Sequence, residues 1–353
     1  RHVPPASMPT HRARGLGMDG RGGSIRAVSG SSERRAAIVV RGLEKRYGDV
    51  HAVRGIDFEV EHGEVFGFLG PNGAGKSTTI AILCTLAAPT AGSAAIAGYD
   101  VVRERDAVRR NIGLVFQETT LDEYLTAHRN LLFHGELYGV PADVLPERIE
   151  QVMRMVGLWD RKDSAVSTFS GGMKRRLEIA RGLVHAPNVL FLDEPTIGLD
   201  PQTRSTIWGY IGELRERHGT TVFLTTHYMD EAERCDRVAI MDAGKIVAVG
   251  PPAKLKAAVG KDRVQLRTDD DAAAIAALRE KLRIEAKIHE DTITFAVPSG
   301  EELLPRLFAE LSVPIRSVSV ARPSLDDVFL SFTGTTMRDA EASARSEQTG
   351  AKR

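Results

Sequence analysis

Hydrophobic positions along the chain change period several times, and each change predicts an element. Glu64 to Leu69 is a short apolar run suited to one buried strand, whereas Thr78 to Leu86 places Ile80, Ile82, Leu83 and Leu86 as a helix lying on a sheet would. Upstream, Ile38–Val40 and Ile56–Val60 read as short strands, the second alternating apolar and polar residues. Ile112–Gln117 reads as a strand ending in an amide. Residues 121–157 then take helical spacing through Leu125, Leu132, Leu137, Ile149, Val152 and Val156, punctuated by Pro141 and Pro146. Two more apolar runs, Val189–Leu192 and Thr221–Thr226, lead into Asp193-Glu194-Pro195 and into His227. After Gly250-Pro251-Pro252 the pattern restarts, with strands near 263–268, 285–290, 292–297 and 315–320, helices over 272–282 and 301–311, and a last helix from Leu325. This β-α-β-β-α-β order predicts a small α+β, ferredoxin-like domain over 253–334. Residues 36–250 are predicted as one α/β domain, with a helical subdomain at about 118–172.

Composition narrows the picture without redirecting it. The chain has 353 residues, enough for about two domains, and its 47 Lys and Arg balance its 47 Asp and Glu, so global charge does not argue for nucleic acid or an anionic membrane. No apolar run approaches the roughly 18 residues of a membrane helix, and no signal-peptide stretch opens the sequence. Cys84 and Cys235 stand far apart in no metal or redox spacing and read as small buried residues in a reducing compartment. Residues 1–35 carry seven arginines against Asp19 and Glu33 and read as a disordered basic arm; the polar stretch 335–353 reads as a disordered tail. The sequence starts at Arg1, so Met8 and Met18 are candidate starts.

The candidate chemistry centres on Gly70-Pro71-Asn72-Gly73-Ala74-Gly75-Lys76-Ser77-Thr78, a phosphate-binding loop lying between the predicted strand and helix that such a loop requires. Its glycines let backbone N–H groups curl inward, and the helix that follows adds the positive end of its dipole. Lys76 is then placed to reach the outer phosphates and Ser77 to offer its hydroxyl to Mg²⁺. Asp193 fits the Mg²⁺-holding acid at the carboxyl edge of a sheet, and Glu194 is placed to deprotonate a water. Ser170 resembles an N-cap, and Gly171-Gly172 leave a second helix start able to bind anions. Tyr47 is a candidate platform for an adenine ring, or simply a packing residue in a surface turn, and His227 would share the edge of Glu194. The region after Gly250 has no phosphate loop or catalytic cluster.

With these residues assembled, the stretch from about 36 to 250 resembles the ATP-binding subunits of ATP-binding cassette (ABC) transporters, P-loop NTPases whose motifs occur here in the family's order. By that resemblance Gly70–Thr78 is the Walker A loop and Tyr47 the adenine-stacking aromatic, while Gln117 is the glutamine that touches Mg²⁺ and senses a membrane partner. Ser170–Met173 becomes the signature motif, Asp193 the Walker B acid, Glu194 the general base, Asp200 part of a loop crossing a dimer interface, and His227 the switch histidine. Met173 stands where the commonest signature has Gln, and Ile197 where a smaller or hydroxylated residue is usual. Phe169-Ser-Gly-Gly-Met-Lys-Arg-Arg-Leu177 with Ser324-Leu-Asp-Asp-Val-Phe-Leu330 is similar to the daunorubicin-resistance subfamily of drug exporters. The resemblance implies an ATPase using ATP and Mg²⁺, working as a homodimer with an integral-membrane permease subunit, peripheral on the cytoplasmic face of the cell membrane, exporting a hydrophobic drug-like compound and touching no nucleic acid. The competing reading is a non-transport cassette ATPase of translation or DNA repair; the paired cassettes, coiled coils and zinc cysteines of those types are absent from the sequence.

Overall fold

The structure, a computed structural model, describes residues 36–335 apart from 290, 291 and 312. The arm expected over 1–35 and the tail from 336 onward lie outside the described residues. In place of the two short strands that the pattern marks, the chain opens with a long hairpin, β1 (Ala36–Tyr47) and β2 (Val50–Glu61), paired from Ala36↔Glu61 to Tyr47↔Val50. Bulges along β1 break the strict alternation, and polar residues such as Arg46 of β1 and His51 of β2 hide the hairpin's outer half from a hydrophobicity pattern. Tyr47 therefore ends a strand rather than sitting in a turn.

From the hairpin the chain enters β3 (Val65–Leu69), passes through the glycine-rich loop into α1 (Lys76–Leu83), and returns through β4 (Ala91–Ile96) and β5 (Tyr99–Asp100) to complete a four-stranded antiparallel sheet in the order β2-β1-β4-β5. There follow α2 (Arg105–Asn111), β6 (Ile112–Val115), the helices α3 (Ala127–Leu137), α4 (Leu145–Met155) and α5 (Gly171–Leu183), then β7 (Val189–Asp193), α6 (Pro201–His218), β8 (Thr221–Thr226), the single turn α7 (Met229–Ala232), β9 (Arg237–Asp242) and β10 (Lys245–Gly250). These strands and β3 make a six-stranded sheet in the order β10-β9-β3-β8-β7-β6, parallel except for β10.

Period-2 alternation gives this sheet two buried faces. Phe66, Phe68, Phe191 and Phe223 face the first sheet; Phe66, Phe68 and Phe223 meet Phe58 of β2, and Phe191 packs on Phe223, with Phe66 and Phe223 centroids 5.7 Å apart. Leu69, Leu190, Leu192, Val222 and Leu224 face α3–α6. A sheet packed on both sides is rigid, and its carboxyl edge is where side chains after β3, β6, β7 and β8 can be held in fixed relation. At the far end of α5, the His185 ring stacks on Tyr138 at 4.1 Å, and Tyr138 on His134 at 4.5 Å, fastening α5 to α3.

Past α8 (Pro252–Val259) come β11 (Asp262–Thr268), α9 (Asp271–Lys281), β12 (Lys287–His289), β13 (Thr292–Val297), α10 (Gly300–Glu310) and β14 (Ile315–Ala321), the expected β-α-β-β-α-β unit. The strands form one antiparallel sheet, β12-β13-β11-β14, over a core of its own that includes Val264, Leu266, Phe295 and Leu307. The final helix α11 (Leu325–Thr333) begins at a capping box, with Ser324 and Asp327 each accepting the other's backbone N–H. The sequence alone leaves open whether this helix covers its own sheet or a cassette. Leu325, Val328 and Phe329, at helical spacing and fully buried, join the core of the six-stranded sheet's helical face, beside Leu255 and Val259 of α8. The covering surface is thus the same chain's cassette.

Candidate active site

The loop between β3 and α1 is shaped by what lies behind it. Gly75 sits at φ +104°, and a Cβ there would come within 2.5 Å of the Ala52 carbonyl of β2; a Cβ on Gly70 would lie 2.2 Å from the Met241 carbonyl of β9. Glycine is required here for close packing as well as for the left-handed backbone. No side chain caps the start of α1, so its first N–H groups face the loop. Lys76, only 5% exposed, donates to the carbonyls of Gly70 at 2.6 Å and Pro71 at 3.1 Å, while Asn72, Gly73 and Ser77 are exposed.

Asp193 closes β7, and Ser77 Oγ donates to its Oδ1 at 3.4 Å, bringing a hydroxyl and a carboxylate from two elements to one point. Thr225, buried in β8, donates its hydroxyl to the same oxygen and accepts the Glu194 N–H at 3.0 Å. Glu194 adopts φ +45°, a conformation uncommon for a residue with a side chain. Its Oε1 lies 3.3 Å from His227 Nδ1, near enough to feel charge though not aligned for a linear hydrogen bond, and 3.8 Å from Lys76 Nζ. Burial pushes the Glu194 carboxyl up, but its contact with His227 and the charge of Lys76 outweigh this and hold its pKa below the usual 4.5. A carboxylate so placed is ionised at neutral pH and can accept a proton from a water beside a phosphate. The His227 ring is in turn packed on Tyr228 at 4.1 Å, and Arg204 lies over Tyr228 at 4.5 Å.

Lys76, Ser77, Asp193, Glu194 and His227 therefore come together in direct contacts. The remaining candidates stand apart from that group. Tyr47 is half exposed with Lys45 Nζ 4.7 Å above its ring, on the hairpin whose Ala52 presses on Gly75. Gln117 is exposed just beyond β6. Ser170 caps α5, accepting the Met173 N–H at 3.3 Å, and Gly171 beside it is exposed, with nothing within 4 Å of the place a Cβ would take. Asp200 caps α6 through the N–H groups of Gln202 and Thr203 and accepts the Thr203 hydroxyl, which lowers its pKa.

Sequence reasoning passes over Thr225, although a buried strand ending in two threonines before His227 is a visible signal. It also passes over Arg175, a buried cation in a run that reads as surface, and the bond from Thr196 to Glu231, both fully buried, which joins the loop after Glu194 to the turn after His227.

Comparison with known proteins finds relatives over most of the chain. The family model described as "ABC transporter" matches residues 53–197, and that described as "ATP-binding protein DrrA1-3-like, C-terminal domain" matches 250–333. The daunorubicin/doxorubicin resistance ATP-binding protein DrrA of Streptomyces peucetius is 41% identical over 88% of this chain and 97% of its own length. The linearmycin resistance ATP-binding protein LnrL of Bacillus subtilis is 39% identical over 84% and 98%, and the Nod factor export ATP-binding protein I of Burkholderia orbicola 40% identical over 86% and 99%. Among solved structures, cbiO1 of Clostridium perfringens, part of an ABC transporter complex, superposes with TM-score 0.59 at 29% identity, covering 70% of this chain and 96% of that one. An ATP-binding cassette solved as a dimer in a post-hydrolysis state with ADP and Pi gives TM-score 0.53 at 27% identity, covering 61% and 98%. With the loop, the paired acids and the C-terminal domain in place, the chain belongs to the ABC transporter family as an ATP-binding, ATP-hydrolysing subunit of the exporter type.

Proposed function

We propose that this subunit binds MgATP on the cytoplasmic face of a membrane, pairs with a second copy of itself, and drives export of a hydrophobic, antibiotic-like compound through a separate membrane-spanning permease. The observation that supports the site reading best is the Glu194 carboxylate held between Lys76 and His227 with Ser77 and Asp193 alongside. The described residues contain no group of three His, Cys, Asp or Glu that could hold a metal, and Mg²⁺ does not need one: it keeps several waters and takes one or two protein oxygens with the phosphates. Ser77 and Asp193 fit that demand, with Gln117 as a further oxygen. When bound, Mg²⁺ supplies charge neutralisation to the phosphate oxygens. Lys76 exchanges the carbonyls of its own loop for outer phosphate oxygens and stabilises the charge that spreads over them. Glu194 orients water and takes its proton, and His227 steadies that carboxylate and approaches the terminal phosphate. Tyr47 stacks on adenine, and Ser170, Gly171 and Gly172 of the second copy close the site across a surface that includes Asp200.

No helix among the described residues is long and apolar enough to cross a membrane, which suits a peripheral subunit with its substrate contacts elsewhere. Three relatives carry names for daunorubicin/doxorubicin resistance, linearmycin resistance and Nod factor export, which supports a hydrophobic, antibiotic-like compound as the cargo here. The test is coexpression with the membrane subunit in a sensitive host. Wild type should lower accumulation of such compounds, and Glu194→Gln should abolish this, reduce turnover about 100-fold or more, and leave ATP binding intact. Turnover at the wild-type rate in Glu194→Gln would remove Glu194 from its role.

A further inference from the structure

Arg175 lies in α5, five residues after Ser170, and is buried at 7% exposure. Its guanidinium has five N–H donors, and five acceptors surround it. Nε donates to the Pro195 carbonyl at 2.8 Å, and Nη2 to those of Asp193 at 2.9 Å and Glu194 at 3.2 Å. Nη1 donates to the Phe116 carbonyl and meets Glu178 Oε2 at 3.3 Å. Three successive carbonyls thus turn toward one cation, and the middle one belongs to Glu194, whose backbone is in the left-handed region and whose N–H is fixed by Thr225. A planar fork can hold such a turn; a point charge cannot satisfy it. Glu178, one turn further along α5 and itself buried, accepts the Thr120 N–H at 2.8 Å, so the helix also grips the segment that carries Gln117. Neither charge would be tolerated alone at this depth, so the pair is kept or lost together.

We propose that Arg175 is a positioning residue for ATP hydrolysis: it ties the orientation of Glu194, and the path of the chain through Gln117, to the position of the helix that begins with the exposed glycines. The base is then aligned as a function of where α5 stands, and a shift of that helix reaches the carboxylate through one side chain. This rests on the site reading above, with Glu194 as the base.

The test uses the full chain and five variants. Arg175→Met alone strands Glu178 and is expected to cost stability, so it is paired with Arg175→Met/Glu178→Gln, which removes both charges and keeps an acceptor for Thr120. The double variant should regain the part of the thermal midpoint that the stranded Glu178 charge costs in Arg175→Met, though not the part due to the carbonyls left without donors, while kcat stays about tenfold or more below wild type and KM for ATP stays within about twofold, since a base displaced by a fraction of an ångström loses rate without losing substrate binding. Arg175→Lys should fold and show the same split. On a Glu194→Gln background the double variant should lower the residual rate no further, because the group it aligns is gone. Wild-type kcat in the folded double variant would overturn the proposal, as would full additivity with Glu194→Gln. If Glu194→Gln itself turned over normally, the site reading would fail instead.

Discussion

Helices α1 and α5 both start among glycines, yet their surroundings are opposite. At α1 the lysine is buried, Gly75 is pressed under the Ala52 carbonyl, and Ser77 meets Asp193 at the end of β7. At α5 Ser170 and Gly171 are exposed, a methyl on Gly171 would touch nothing, and the chemistry of its own chain lies elsewhere. The first start is half a pocket already lined with its charges. The second is finished as a helix but has nothing from this copy to act on, which is what the proposed sandwich of two copies demands. Between its free start and its far end, α5 is held by Arg175 and by the stack through His185.

The largest effect that would break this contrast comes from Ser170→Arg. It should lower turnover about 100-fold or more while ATP binding by the single chain, read by nucleotide titration, stays almost unchanged. Lys76→Ala should do the converse at the level of one chain, weakening binding about tenfold or more through loss of a charged phosphate contact. When the two proteins are mixed, one composite site carries both lesions and the other is whole, so part of the turnover should return. No return, with mixed dimers shown to form, would count against the sandwich.

A finer test compares two alanines. Gly75→Ala must place a side chain at φ +104° against a backbone oxygen and should cost about 2–4 kcal/mol of stability together with nucleotide binding. Gly171→Ala meets open space and should leave stability unchanged or raise it by up to about 1 kcal/mol, yet reduce turnover by crowding a ligand that approaches from the other copy. Unfolding curves and ATPase rates on both variants decide it; a Gly171→Ala protein normal in both would mean that nothing comes close to that helix start.

The smallest effect concerns the fastened end of α5. Burial, then the charges of Arg181 and His185, lower the His134 pKa from 6.5 to about 3. Between those values the unfolded chain binds a proton that the folded chain refuses, so stability falls as pH drops below about 6.5, by up to about 1.4 kcal/mol per pH unit from this residue. His134→Gln removes that increment, and urea midpoints at pH 7 and pH 5 should lie closer together in the variant. Equal separation in both proteins would contradict the assignment.

The phosphate-loop side is legible in the sequence because strand, glycine turn and helix are contiguous there, and because Asp193, Glu194 and His227 each end an apolar run. The C-terminal unit is legible for the same reason, β11 and β13 alternating clearly between buried and exposed positions. What escapes is decided by neighbours distant in sequence. Bulges and exposed charges disguise the length of β1 and β2. Arg175 looks like surface because nothing local announces that backbone carbonyls from 116 and 193–195 will enclose it. The second task of Gly70 and Gly75, making room for β9 and β2, is equally invisible until those strands are beside them.

The docking of α11 has a consequence for synthesis. Leu325, Val328 and Phe329 fill the core beneath the six-stranded sheet's helices, but the ribosome makes them only after the whole C-terminal sheet. A nascent chain that has reached β10 therefore holds every residue of the nucleotide site and still lacks three core side chains. At roughly 5–20 residues per second it waits some seconds with that hollow open. The C-terminal sheet, leaving through α8 and returning through α11 at one place, thus acts as a clasp that closes last, and a chain cut after Gly250 would remain in the unclasped state.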